Sequence, residues 1–440
     1  MQVSVETTEG LGRRMKVQVP SERVDSEVES RLRDLRGRVR LDGFRPGKVP
    51  LKVVQKRYGA QVRGEVLNEV VQSTYTEALD QEGLRPAGAP EIEPVQTEAG
   101  KDLEYQAEFE VLPGFEVEGI EEISIERPAV DITDADVDSV LERLRKQQAS
   151  YSTVERAAAE GDRVTIDFHG TVDGEEFEGN AGEDVPTEIG SGQMPAEFEQ
   201  ELVGVSAGDE KTIEYTFPER FPDEKVAGKA ARFEVKVKQV EEPELPALDD
   251  EFAKGLGLEN GLDELRERVR ENLQRERDQA VRAQVKQQTM DGLLERNEIE
   301  LPRVLIDREI DQLREQAKQR MQQYGAEGEE PDLPASQFED EARRRVTLGL
   351  LVNEIVRANE IELDRERLQQ QLQEIAMSYG QPEQVIQAYT QNQQLMENLQ
   401  VQVMEEQVVD WLAERAQVTD KSMSLDALMG RASDDEASAS

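Results

Sequence analysis

The apolar residues of this chain change their spacing along its length, and that change limits the folds open to it. Leu103, Tyr105, Ala107, Phe109 and Val111 fall on every second residue. The same alternation marks residues 15–19, 164–168, 213–217 and 233–237. A strand points alternate side chains to one face, so each run reads as a half-buried strand. Elsewhere the spacing is three and four. Val24, Val28, Leu32, Leu35 and Val39 follow it, as do Leu262, Leu265, Val269 and Leu273, continuing through Val281, Val285 and Leu293. That is the apolar stripe of an amphipathic helix. The chain is therefore expected to be a multidomain α+β protein whose last third is all helix.

In the first region Ser21 reads as an N-cap for the helix over 21–39. A second helix begins near Leu51 and is expected to stop at Gly59. A third runs over 61–81 and ends at Gly83. Between the first two lies GFRPGKVP, Gly43 to Pro50. Glycines permit its turn, and prolines fix φ and bias their neighbours towards extended forms. The loop should thus display Phe44 between the cations Arg45 and Lys48. Net charge over the whole chain is −43, yet residues 1–110 hold 17 basic and 20 acidic side chains. The bases cluster between Arg31 and Arg63, where the acids are Asp34 and Asp42. A basic band with one exposed aromatic on a very acidic protein points to a local contact with something anionic, such as structured RNA.

Residues 111–128 read as an extended acidic connector. Thr133 and Asp136 make a capping-box start for a helix whose face is Val137, Val140, Leu141 and Leu144. Residues 151–242 read as a β-rich module, with Asp173-Gly174 as a hairpin turn and IGSGQMPAEFEQELVG (Ile189 to Gly204) as a glycine turn entering a short helix. Residues 241–251 read as a proline-punctuated linker. Helices follow over 262–293, 303–324, 336–358, 364–379 and 392–416, with an acidic loop at 325–334. NEIEL occurs at Asn297–Leu301 and again at Asn359–Leu363, which fits two arms built as helical hairpins. Met290, Met321, Met377, Met396 and Met404 offer adaptable contacts, in helical cores or on shallow apolar faces. The tail over 421–440 is polar and is expected to be disordered.

The chain has no cysteine and one histidine, His169. Disulfides, thiol catalysis, Cys-based zinc sites and two-His metal motifs are excluded. No ATP motif is present, and no cofactor or metal is expected. There is no apolar h-region at the N-terminus and no run of membrane-spanning length, so a cytoplasmic protein is expected. A field of this sign repels DNA and anionic membranes overall.

GFRPGKVP, the following QKRYG and the opening MQVSVETTEGLGRR resemble the ribosome-binding domain of the bacterial trigger factor family. The match to that family's loop falls on Gly43, Phe44, Arg45, Gly47, Lys48 and Pro50, with Pro46 between. RVTIDFHGTVDGEEFEG, the GSGQM helix entry and GKAARFEVKVKQVEE resemble an FKBP-type prolyl isomerase. The resemblance implies ribosome docking over 1–112, a connector and helix over 113–150 that packs on the C-terminal domain, an isomerase domain over 151–243 and a helical chaperone domain with two arms over 244–420. It implies docking through Gly43, Phe44, Arg45, Pro46, Gly47 and Lys48 to the exit-site protein and rRNA of the large ribosomal subunit. The implied activity is ATP-independent holding of nascent chains, assistance to folding, export and cell division, and isomerisation of X–Pro bonds. A homodimer off the ribosome is a further implied partner.

Isomerisation needs no acid or base, because the barrier of about 18–20 kcal/mol comes from amide planarity. Twisting reduces charge separation, so a dry aromatic pocket favours the twisted form. Phe168, Phe177, Met194, Phe198, Phe221 and Phe233 are the candidates to line that pocket, with Asp167 placed to orient backbone or substrate. Two alternatives stay open: a free isomerase whose other domains only dock substrate, and a binding-only chaperone with an inactive isomerase domain.

Overall fold

A computed structural model describes residues 1–39, 44, 49–177, 179–219, 221, 226–323, 333–377 and 379–430. The chain divides into two compact units. One joins Met1–Arg127 to Ala283–Asp420, and the other joins Pro128–Arg282 to the chain from Lys421.

The first unit opens with β1 (Gln2–Thr7), β2 (Gly12–Val19), α1 (Ser21–Arg38), α2 (Leu51–Glu82), β3 (Glu91–Gln96) and β4 (Leu103–Glu110). The strands form an antiparallel sheet in the order β1-β2-β4-β3. Its inner face carries Met15, Val17, Tyr105 and Ala107, which pack in one core with Val54, Val62, Val66 and Val70 of α2. Two local expectations fail here. Ser21 is not a cap: Pro20 holds the N-cap position, and the Ser21 N–H donates at 2.9 Å to Oδ1 of Asp102, the residue just before β4. Gly59 does not end a helix. It lies inside α2, whose buried valines continue on either side; the shared apolar face outweighs the roughly 1 kcal/mol that glycine costs a helix interior. Gly83 does end it, at φ 64°, with the Leu84 N–H donating to the Leu79 carbonyl at 3.0 Å.

The connector is less free than its sequence implies. Its last stretch is β5 (Ser124–Ala129), and Ile123 and Ile125 are fully buried. After it come α3 (Asp134–Gln147), β6 (Ser150–Thr153), β7 (Arg163–Val172), β8 (Ala181–Glu188), α4 (Ala196–Glu201), β9 (Glu210–Thr216) and β10 (Ala230–Glu244). The capping box forms: Thr133 Oγ1 accepts the Asp136 N–H, and Asp136 accepts the Thr133 N–H. The 15 residues of β10 organise the sheet. One edge pairs with β7, which pairs with β8. The other edge pairs with β9 through Ala230–Lys236 and with β6 through Glu241–Glu244. Glu241 to Glu244 are thus strand, not linker, because β6 supplies partners that local sequence does not show.

The remaining elements are α5 (Asp250–Gly255), α6 (Leu262–Arg296), α7 (Arg303–Gln323), α8 (Glu339–Ala358), α9 (Arg365–Met377), α10 (Pro382–Gln391), α11 (Gln393–Ala413), β11 (Gln417–Ser422) and α12 (Leu425–Leu428). In the second unit Val137 and Leu141 of α3 pack with Phe252 of α5, Leu265 and Val269 of α6, and Leu425 of α12. The chain over 421–430 is therefore not a disordered tail: Leu425 is buried, and Met423 and Met429 pack beside it. Residues 431–440 lie outside the described residues, as does most of the loop expected over 325–334. In the first unit the two NEIEL copies are structurally alike. Asn297 and Asn359 each donate through Nδ2 to the carbonyl four residues back, both at 2.9 Å. Ile299 and Ile361 pack on one core with Leu293, Leu351, Val408 and Leu412. The methionines divide: Met290 is core, while Met321 and Met377 are exposed. No described helix is long and apolar enough to cross a membrane.

Candidate functional site

A cavity of about 450 Å³ opens on the sheet of the second unit. Each of its walls comes from a different element. Phe168 stands on β7 and Phe233 on β10, on the face that also carries Ile166 and Val235 into the core. Phe177 follows the hairpin turn, where Asp173 and Gly174 both take positive φ. Met194 and Pro195 lead into α4, which supplies Phe198. Phe221 and Val226 come from the loop after β9. All six residues expected from sequence line this one cavity. The rings meet edge to face: Phe233 lies 5.6 Å from Phe198, and 6.1 Å from both Phe168 and Phe177. Such contacts favour a fixed ring arrangement over sandwich stacking.

Sequence reasoning missed further contributors, Gly179 and Val226 among them, and four others matter most. Tyr215 and Phe217 read as ordinary strand residues, yet both line the cavity, with centroids 5.1 Å apart. Their alternation with Ile213 showed a buried face but not where that face opens. Gln193 had no periodic signal at all. Glu199 is the fourth and does not touch the cavity. The residue is buried, at 4% exposure. It accepts the N–H groups of Gly190 (2.9 Å), Gly192 (3.2 Å) and Met194 (3.1 Å), and the Ser191 hydroxyl at 3.4 Å. Burial pushes its pKa up, but the three backbone donors and the hydroxyl together hold it below the usual carboxylate range. One ionised side chain thus fixes the turn that presents Met194. The cue was present as a Glu in the helix after a glycine-rich turn.

Asp167 does not join the cavity. It sits on the other side of β7 from Phe168, accepts the Asp184 N–H at 2.8 Å and pairs with Lys238 at 2.7 Å. The Lys238 ammonium and that N–H hold it below its ordinary pKa. His169 is exposed, with Nε2 3.5 Å from Glu176 Oε1. Among the described residues no group of three or more His, Asp or Glu is placed to hold a metal ion.

The second candidate surface lies where α1 and α2 meet the GFRPGKVP loop. Phe44 is exposed at 41%. Gly43, Arg45, Pro46, Gly47 and Lys48 lie outside the described residues. The cations around them divide by distance along the chain. Arg23 pairs with Glu77, Arg31 with Glu69, Arg33 with Glu29 and Arg63 with Asp25. Arg36, Arg38, Lys52 and Lys56, all exposed and next to the loop, make no ion pair among the described residues. The expected basic band therefore narrows to the ends of the two helices beside Phe44.

Three family models match. The bacterial trigger factor protein model covers residues 1–144, the model of that protein's C-terminus covers 261–414, and the FKBP-type peptidyl-prolyl cis-trans isomerase model covers 154–238. The chain is 66% identical to the trigger factor of Alkalilimnicola ehrlichii, over 98% of this chain and 95% of that protein. It is 59% identical to that of Halorhodospira halophila, over the full length of both. It is 50% identical to that of Thioalkalivibrio sulfidiphilus, over 98% of each. The chain belongs to the trigger factor family, ribosome-associated chaperones that carry an FKBP-type prolyl isomerase domain.

Proposed function

We propose that the aromatic cavity catalyses cis–trans isomerisation of X–Pro bonds. The observation that carries this is the convergence of Phe168, Phe177, Phe198, Phe217, Phe221 and Phe233 on one cavity of about 450 Å³. A proline ring enters this apolar space and leaves water behind. The planar amide loses hydration there that the twisted amide, with less charge separation, needs less. Phe233 and Phe198 hold the ring in place. Met194, fixed through Glu199, fills the near wall. No proton moves at any step.

The test is a proline-isomerisation assay on a short peptide with Phe198→Ala. The rate should fall at least tenfold, and an unchanged rate overturns the assignment. A second reading, a cavity that binds X–Pro segments without turnover, is favoured by Pro195. It lines the cavity and has no N–H to hold a substrate carbonyl. Peptide binding with a rate equal to the uncatalysed one selects that reading.

We also infer that Phe44, with Arg45, Pro46, Lys48 and the glycines Gly43 and Gly47, docks this cytoplasmic chain at the exit-site protein and rRNA of the large ribosomal subunit. The exposed Phe44 and the nearby cations that make no ion pair among the described residues support this. Alanine at Phe44, Arg45 and Pro46 should abolish ribosome co-sedimentation; co-sedimentation at the native level sinks the docking site. Off the ribosome two copies associate, which equilibrium sedimentation of the free protein checks.

A further inference from the structure

Residues 114–117 form an extended segment that pairs with no strand among the described residues. Gly114, Glu116 and Glu118 are exposed, and Phe115 and Val117 between them are half-buried against the core of the first unit. That is the period-two alternation of a strand on a hydrophobic layer. Pins hold both ends. The Leu112 N–H donates to the Arg85 carbonyl at 2.9 Å. The Glu118 N–H donates to Asn297 Oδ1 at 2.9 Å, and the Glu118 carbonyl accepts from Asn297 Nδ2 at 3.2 Å. Between the pins, Gly114, Phe115, Glu116 and Val117 make no backbone hydrogen bond among the described residues. An edge of this kind is a template for another strand.

Beside the edge lies a cleft of about 990 Å³, walled by this segment, the last turn of α8 and Trp411 of α11. The Arg415 guanidinium covers the Trp411 ring at 3.9 Å and fixes the indole. Of the charged groups in the walls, Glu354 and Arg357 neutralise each other at 2.9 Å. Glu116 and Glu118 have no cation partner among the described residues. The cleft thus combines an unpaired backbone edge, an aromatic wall and two uncompensated carboxylates two residues apart.

We propose that this cleft binds an extended polypeptide segment as an added strand on residues 114–117. The segment carries Lys or Arg at alternate positions, opposite Glu116 and Glu118, and an aliphatic or aromatic side chain against Trp411. Backbone pairing gives affinity with little demand on sequence, and the alternating cations set the preference. This is a place for client chains separate from the aromatic cavity, and it does not rest on isomerase activity.

Trp411 is the one tryptophan of the chain, so its emission reports on this cleft alone. The full-length protein is titrated with an alternating Lys–Val nonapeptide, with the same peptide N-methylated at every second amide in either register, and with its Glu–Val counterpart. The Lys–Val peptide should shift Trp411 emission saturably. N-methylation in the edge-facing register should weaken binding at least tenfold, and the Glu–Val peptide should give no shift. Glu116→Gln with Glu118→Gln should weaken binding about three- to tenfold; both residues are exposed, so the double variant keeps its fold. Phe221→Ala, which tests the isomerase cavity, should leave the titration unchanged. The proposal is overturned if the Lys–Val peptide leaves Trp411 unshifted. It is equally overturned if both N-methylated peptides bind like the parent, or if the double variant binds like the native chain.

Discussion

Gly170 and Phe233 face each other across the pairing of β7 and β10, and a methyl group on Gly170 would come within 2.7 Å of Cδ1 of the Phe233 ring. The ring packs against the glycine because no side chain occupies that place. Gly170→Ala should therefore push Phe233 into the cavity it lines. Overpacking of this kind costs about 1–3 kcal/mol. The expected outcome is a midpoint shift in urea unfolding together with a fall of at least tenfold in peptide isomerisation. Loss of stability without loss of rate would show that Phe233 serves the core alone.

Phe198 and Phe221 separate core from cavity. Phe198 is 4% exposed and Phe221 is 39% exposed, though both line the same space. Phe198→Ala should destabilise the domain by about 3–5 kcal/mol. Phe221→Ala should cost stability by about 1 kcal/mol or less while still raising KM for a proline peptide several-fold. Urea melts beside steady-state kinetics check both.

The Glu199 carboxylate makes the turn at 189–194 sensitive to acid. Its folded-state pKa lies below the ordinary value, so its contribution is present above the ordinary carboxylate range and is lost as pH falls through the depressed value. Glu199→Gln should cost about 1–3 kcal/mol at pH 7, since the amide NH2 cannot accept the backbone donors. The gap between native and variant should narrow below about pH 4. Urea unfolding of both proteins at pH 7 and pH 3 measures it. A gap that stays constant across that range contradicts the role given to the ionised form.

Charge reversal should discriminate between cations that look alike in sequence. Lys52 and Lys56 are exposed and unpaired among the described residues, whereas Arg31 is paired with Glu69. Lys52→Glu with Lys56→Glu should weaken ribosome co-sedimentation and flatten its salt dependence by about one to two ions released. Arg31→Glu should have the smaller effect. Equal effects would mean that the whole band, not its loop end, approaches rRNA.

Sequence alone determined much of this protein. The alternation of 103–111 and of 233–237, the helical stripe from Leu262, the Thr133–Asp136 capping box and the stop at Gly83 are all local. Each reports how one element arranges its own residues, and the structure keeps them. What only tertiary structure decided is which faces close on which partners. Gly59 was legible as a stop until its neighbours were seen to share one buried face with Met15 and Tyr105. Glu241 to Glu244 gained strand partners 94 residues away at most, in Ser150–Thr153. Leu425 became core because α3 and α6 left a place for it. The aromatic residues of the cavity were visible as a set, but Tyr215 and Phe217 joined them only through β10, and Glu199 acts through three amides that no periodicity links to it. Periodicity records an apolar face. Whether that face is filled by core or left open for a proline ring depends on contacts between residues far apart in the chain, which local spacing does not encode.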